Sequence, residues 1–314
     1  MSMLLLAVLL LCFIAYAIPE SLSGDHPIAI YFPVHYFYNN FDFTEAAYSS
    51  SLTSSTRANA KGWANYSKSQ DQEDMWLYEN MFYGKQNGTI LESGAADGLF
   101  FSNTYMFEKY LGWHSVHIEA DPSNYHNLKG NRPHSINIHA ALCEKHQLYH
   151  YVNTGLEFVR GIFEFMSDKF IRQWHKELLA DKTLISRLPV VNCVPIKNIL
   201  KRLNIRVIDV WILDTEGAEE SVLRGTDFNQ VRFNFICMEC DATDPSKNKN
   251  KVAIIEKNNF TCKLLERNCL CKNNEYKPSA LERSQQSEFK TWGYSAKTKA
   301  QGNYIPYTSQ ISFD

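Results

Sequence analysis

The sequence predicts an α/β fold built around a mostly parallel sheet, and three observations predict it. Between residues 89 and 265, short apolar runs of strand length alternate with helix-like stretches, the pattern of successive βαβ units. A turn of small residues, Gly94, Ala96 and Gly98, joins the first run to a helical stretch, and such a turn lets backbone N–H groups and a helix N-terminus approach a ligand. Acids close the first, second and fourth strands at Glu92, Glu119 and Asp214. Open parallel sheets bind ligands at the carboxyl ends of their strands, so these acids fall where a ligand is expected.

Along the chain, Asp71, Glu73 and Asp74 precede Trp76, Leu77 and Phe82, with acids placed as at a helix start. Thr89 to Leu91 reads as a short strand, Phe100 to Tyr110 as a helix and Ser115 to Ile118 as a strand. Ser123 to Arg132 reads as a helix with Ser123 as its N-cap, followed by a strand over Ser135 to His139. Glu144 to Pro189 is less regular, with a β-like "LYHYV" and a helical "FEFMSDKFIRQWHKELLA". Then come a helix (Ile196 to Leu203), a buried strand (Val207 to Leu213), a helix starting at Glu219 and a strand (Phe233 to Met238). A helix (Lys251 to Asn258) and a strand (Thr261 to Leu265) complete the pattern. Residues 18–69 show no sustained period and read as an irregular arm ahead of one domain over 70–314.

The chain has 314 residues, 45% of them hydrophobic, and a net charge of -2. That is ample for one sizeable core, and no basic stripe points to nucleic acid. Met3 to Ile18 is apolar without interruption and ends in Ala15-Tyr16-Ala17. The run is shorter than the roughly 20 residues of a spanning helix, so residues 1–17 are expected to be a cleaved secretory signal, with a membrane anchor over 1–18 as the alternative. Sequons at Asn65, Asn87 and Asn259 fit that route. Of eight cysteines, Cys12 lies in the signal. Some of Cys143, Cys193, Cys237, Cys240, Cys262, Cys269 and Cys271 are expected to pair in an oxidising lumen, leaving at least one free. Their spacing does not fit a paired C-x-x-C zinc framework and does not give the connectivity.

Glu119 follows Gly98 by 21 residues, a separation at which a carboxylate accepts hydrogen bonds from ribose hydroxyls. Glu92 and Asp97 would repel a pyrophosphate. They suit S-adenosylmethionine, which brings an amino group, a sulfonium and a ribose diol. At the fourth strand, Asp214, Glu216, Glu219 and Glu220 crowd four carboxylates into seven residues, a costly arrangement unless they are solvated, paired or liganded. Three readings stand. Asp214 or Glu216 is a general base for an acceptor hydroxyl. Alternatively, Asp214 and Glu216 bind Mg²⁺ or Ca²⁺ with Glu239 or Asp241, or Glu216 and Glu219 cap the next helix. His117 reads as structural, His139 as a secondary ligand candidate, and Trp76, Trp113 and Trp211 as core. Gln70 and Asp71 read as a helix start, with folding over the cofactor as the alternative.

The stretches "ILESGAADGLFFSNTYMFEKYLGWHSVHIEADPSNYHNL" and "VIDVWILDTEGAEESVLRGTDF" resemble the FkbM-type methyltransferase family over roughly residues 70 to 265. The shared motifs are E-x-G-A-x-D-G, then G-W with I-E-A-D-P, then D-x-E-G-A-E with V-L-x-G. The resemblance implies a Rossmann-like class I methyltransferase fold: a mostly parallel seven-stranded sheet with helices on both faces. It implies methyl transfer from S-adenosyl-L-methionine, typically to a hydroxyl oxygen. Carried over by position, it implies cofactor contacts at Glu92, Gly94, Ala95, Asp97 and Gly98, at Glu119 and Ala120, and at Ala140 and Ala141. Asp214, Glu216 and Glu219 match its fourth-strand motif, with Asp214 and Glu216 the catalytic candidates. Ala96 stands where class I loops often carry glycine. The segment from 144 to 190 does not align, and acceptor choice is expected to lie there.

The expected function is O-methylation, in the secretory pathway, of a small-molecule, lipid or glycan hydroxyl, with no resident metal and no nucleic-acid partner. A membrane is expected to be involved only if the N-terminal segment is retained. The rival is a secreted or lumenal binding protein that keeps the fold without turnover, since S-adenosylmethionine is made in the cytosol and would have to be imported. The acidic loop disfavours a nucleotide-sugar transferase.

Overall fold

The computed structural model describes residues 66–240, 243–265 and 267–278. The expected signal, the arm before residue 66, Asn65 and Asp241 lie outside the described residues. The chain runs α1 (Glu73–Asn80), β1 (Thr89–Ser93), α2 (Tyr105–Leu111), β2 (His114–Glu119), α3 (Pro122–Asn131) and β3 (Ile136–His139). A second group follows: β4 (Ala141–Leu142), β5 (Gln147–Val152), β6 (Gly161–Ile162), α4 (Asp168–Trp174), α5 (Lys176–Ala180) and β7 (Val190–Val194). The last is α6 (Ile196–Arg202), β8 (Val207–Leu213), α7 (Glu219–Arg224), β9 (Arg232–Glu239), α8 (Pro245–Glu256), β10 (Phe260–Leu265) and β11 (Asn268–Asn273).

The main sheet has seven strands in the order β10-β11-β9-β8-β1-β2-β3. β9, β8, β1, β2 and β3 are parallel, and β11 is antiparallel to both of its neighbours. This is the mostly parallel, Rossmann-like arrangement expected. From β1 the chain winds outward through β2 to β3; from β8 it winds the other way to β9. The carboxyl ends of β1 and β8 therefore flank the switch point, where doubly wound sheets open a crevice.

Period-2 alternation explains the burial on both faces. Ile90, Val210 and Ile212 join a cluster with Trp76, Phe82 and Trp113, while Leu91, Trp211 and Leu213 join another with Ile118 and Phe233. Each such side chain contributes about 1.5–3 kcal/mol on full burial. The three tryptophans are core, as expected.

The structure departs from the expected elements at five places. The helix read from Phe100 begins instead at Tyr105. Asp97 Oδ1 accepts from the N–H groups of Leu99 (2.9 Å) and Phe100 (2.7 Å), and Phe101 turns left-handed at φ 57°. The N-cap of α3 is Asp121, not Ser123: its carboxylate accepts from the N–H groups of Ser123 and Asn124, and Pro122 takes the first helical position. The helical stretch after residue 163 breaks at His175 into α4 and α5. The helix read from Lys251 begins instead at Pro245, with Asp244 as its N-cap. Finally, the sequence reading does not contain β4, β6, β7 and β11. β7 belongs to a second sheet, β4-β7-β5-β6.

Among the described residues three disulfides join Cys143 to Cys193, Cys240 to Cys269 and Cys262 to Cys271, and buried Cys237 is free. They fit an oxidising compartment. Among the described residues no helix is long and apolar enough to cross a membrane.

Candidate active site

A cleft of about 270 Å³ opens at the carboxyl ends of β1, β2 and β8. It is walled by the turn after β1, the loop before α2, the turn after β8, and the 157–174 stretch of the connection between β5 and β7. The size is near the lower end of the roughly 300–1,000 Å³ usual for cofactor sites.

Two loops meet at its floor. The N–H of Asp214 donates to Ser93 O (3.0 Å), extending the β1–β8 ladder one step past the strands. Gly94 follows at φ 82°, where a Cβ would lie 1.7 Å from Asp214 O. Only glycine fits so close an approach. Gly94 and Ala95 donate their N–H groups to Ile118 O, and Ala96 takes φ 46°. The turn thus accepts alanine at the position where glycine is common.

Glu119 ties this turn to β2. Its Oε2 accepts from Ala96 N–H (2.8 Å) and its Oε1 from Asp121 N–H (2.7 Å). Each oxygen retains a lone pair for a further donor. Burial pushes its pKa up to about 8, and the Asp121 charge adds to the rise. Glu92 is held within the protein. It accepts from Ser102 Oγ (3.0 Å), Asn103 N–H (2.8 Å) and Thr104 Oγ1 (2.7 Å), and burial raises its pKa.

Asp214 differs from these acids. Its Oδ1 is buried with no hydrogen-bond partner. Burial, and then the neighbouring Glu219 charge, push its pKa up to about 7. Glu219 supports the turn: its Oε1 accepts from Thr215 N–H (2.8 Å) and Gly217 N–H (3.1 Å), and Lys251 Nζ stands 3.5 Å from its Oε2. Burial alone would raise the Glu219 pKa, but Lys251 and these N–H groups hold it below the usual carboxylate range. Glu219 therefore braces the turn ahead of α7 rather than capping the helix, whose N-cap residue, Ala218, makes no side-chain cap bond. Glu216 lines the cleft at φ 53°.

Carboxylate oxygens of Asp214, Glu219 and Glu239 come within 4.8 Å of one another. Glu219, not Glu216, completes that group. Lys251 already supplies a cation there, which weakens the case for a metal.

Of the residues expected to contact cofactor, Glu92, Gly94, Ala95, Glu119, Ala120, Ala140 and Ala141 line the cleft, as do Asp214 and Glu216. Asp97 and Gly98 do not. Asp97 caps its own turn, and a Cβ on Gly98 would meet Leu128 Cδ1 at 2.6 Å and Arg132 Cγ at 2.8 Å. Gly98 is therefore glycine because α3 packs closely against the turn. His139 stacks on Tyr125 and contacts Ala120 O, outside the lining. His117 is structural: burial takes its pKa down to about 3, and it contacts Thr104 and Asn137.

Sequence reasoning missed Asn103, Asn124, Tyr151, Arg160 and Arg267, which also line the cleft. Asn103 Oδ1, Asn124 Oδ1 and Arg160 Nε are buried there without partners. Asn124 was within reach of a sequence signal, since it opens the helix announced by Asp121-Pro122. Gln70 lines the cleft too, held by Arg267 Nη2 (2.5 Å), so the Gln70 stretch is more than a helix start.

The methyltransferase FkbM domain matches residues 92–270, more than half of the chain. The chain belongs to the FkbM methyltransferase family. A crystal structure of an FkbM methyltransferase from Methylobacillus flagellatus KT is 12% identical over 68% of this chain and 50% of that one, with a TM-score of 0.40. The FkbM chain described here thus spans half the length of that relative. An Aeropyrum pernix fibrillarin with natively bound S-adenosyl-L-methionine is 13% identical over 63% of this chain and 73% of that one, with a TM-score of 0.33. No curated protein matches the chain.

Proposed function

We propose that the protein is an S-adenosylmethionine-dependent O-methyltransferase of the secretory pathway. The observation that carries this is the partnerless, buried Asp214 Oδ1 in the same cleft as Gly94 and Glu119. The residues fit the cofactor's chemistry. S-adenosylmethionine offers donors on its amino group, ribose and adenine, and the cleft presents acceptors: Glu119, and the orphaned Oδ1 atoms of Asn103 and Asn124.

When bound, the cofactor supplies an electrophilic methyl on a sulfonium. The chain's own tasks are to hold an acceptor hydroxyl beside that methyl, exclude water and take the proton. Positioning contributes on the order of 7–11 kcal/mol in favourable cases. Asp214 Oδ1 receives the hydroxyl proton, and a pKa near 7 suits a general base at neutral pH. Glu219 and Lys251 fix the turn that aims it.

The rival reading is a protein that binds without turnover. Asp214→Asn separates the two. An enzyme loses at least 100-fold in release of S-adenosylhomocysteine across a panel of alcohol acceptors while its S-adenosylhomocysteine affinity stays within threefold. Wild-type protein that binds the cofactor but turns over none of the panel supports the rival.

A further inference from the structure

We infer that the acceptor is an uncharged alcohol carried on a flat apolar ring, and that Phe100, Phe101, Phe158 and Trp174 grip that ring. This rests on the methyltransferase reading and names its substrate class. Phe100 is 52% exposed, Phe158 37% and Trp174 38%, and all three line the cleft. Scattered apolar residues on a surface need no explanation, but a contiguous group at a cleft mouth marks a binding site. The ring centroids of Phe100 and Phe101 are 3.9 Å apart, and Phe158 stands 5.7 and 5.8 Å from them. These rings come from opposite walls. Phe100 and Phe101 follow the cofactor turn, whereas Phe158 and Trp174 belong to the connection between β5 and β7.

The backbone is committed to this placement. Phe101 sits at φ 57°, a left-handed region unfavourable for a bulky residue. A parallel bridge to Ser69 and the turn capped by Asp97 hold it there. The result keeps two phenyl rings at the mouth rather than in the core.

Charge excludes anionic acceptors. Seven carboxylates and two guanidiniums line the cleft. Both guanidiniums are already paired, Arg160 with Asp121 at 3.1 Å and Arg267 with Asp71 at 3.4 Å. A phosphate or carboxylate on the acceptor would meet a lining with more acidic than basic side chains, whose two guanidiniums are already held by carboxylates. A neutral ring meets aromatic faces that favour offset or edge-on stacking, with its hydroxyl free to reach Asp214.

Saturation-transfer NMR on the full glycosylated chain, loaded with S-adenosylhomocysteine, tests this with 2-naphthol and 2-naphthyl phosphate as probes. Naphthol is expected to bind at least tenfold more tightly than its phosphate. The F100A/F158A variant should bind naphthol at least tenfold more weakly while its S-adenosylhomocysteine affinity stays within twofold. Equal binding of the two probes by wild-type protein overturns the inference, as does unchanged naphthol binding in the variant. A concentration-dependent dimer dispersed by F100A/F158A would assign the rings to a second copy of the chain and overturn it too. Failure of wild-type protein to bind S-adenosylhomocysteine is a separate result that removes the methyltransferase reading, and the naphthol comparison is then made on the unloaded chain.

Discussion

A methyl group added at position 94 would stand 1.7 Å from Asp214 O, on a residue whose φ is 82°. Gly94→Ala combines overpacking with a left-handed backbone, and we expect a loss of about 2–4 kcal/mol, read as a lower urea midpoint with unchanged slope. Asp214 gives a pH-dependent counterpart. Its folded pKa, about 7, is raised above the ordinary aspartate value of 3.8. The folded protein therefore binds more protons than the unfolded chain between those values, so this group's contribution to stability declines as pH rises through that window. Asp214→Asn should raise the Tm relative to wild type at pH 8 and not at pH 4, a difference on the order of 1–3 kcal/mol. In wild-type protein, turnover should rise through about pH 7 as the base ionises. The sequence made Gly94, Glu119 and Asp214 legible because turn chemistry and strand-end acids follow local rules. It did not separate Asp214 from Glu216 as the base, since what distinguishes Asp214, a buried Oδ1 without a hydrogen-bond partner, is set by the folded turn.

Among the elements, the antiparallel pair β10–β11 shows what local pattern leaves out. "NCLCKN" is short, and the reading given to it was a pair of cysteines. Its strand state comes from pairing with β9 and β10 and from two disulfides, Cys262–Cys271 directly across the ladder and Cys240–Cys269 at the end of β9. The latter brackets Arg267, whose carbonyl accepts from Cys240 N–H (2.6 Å) and whose guanidinium holds Gln70 at the cleft. Replacing Cys240 and Cys269 with serine should cost about 2–4 kcal/mol and weaken S-adenosylhomocysteine binding severalfold. Unchanged binding would show that Arg267 needs no such brace. The strand β8, by contrast, matches its sequence reading at both ends, because seven apolar-rich residues between polar turns leave no other register.

For the whole molecule, the alternation of strands and helices was enough to expect a mostly parallel sheet. The fold of the segment between β4 and β7 was not legible, because its strands make a small separate sheet and its helices are short. That segment carries Phe158, Arg160 and Trp174 to the cleft. Secretion is a molecular-scale proposal. Asn87 and Asn259 are exposed sequon residues, and deletion of residues 1–17 should abolish glycan mass at both and leave the three disulfides unformed. Glycans that persist after the deletion would contradict the signal. The proposal that the crevice between β1, β2 and β8 holds S-adenosylmethionine is tested most directly by calorimetry with S-adenosylhomocysteine on the glycosylated, disulfide-bonded chain. One-site binding that Glu119→Ala weakens at least tenfold is the expected result. A folded protein that releases no binding heat at any temperature tried, or a Glu119→Ala variant that binds as tightly as wild type, would contradict it.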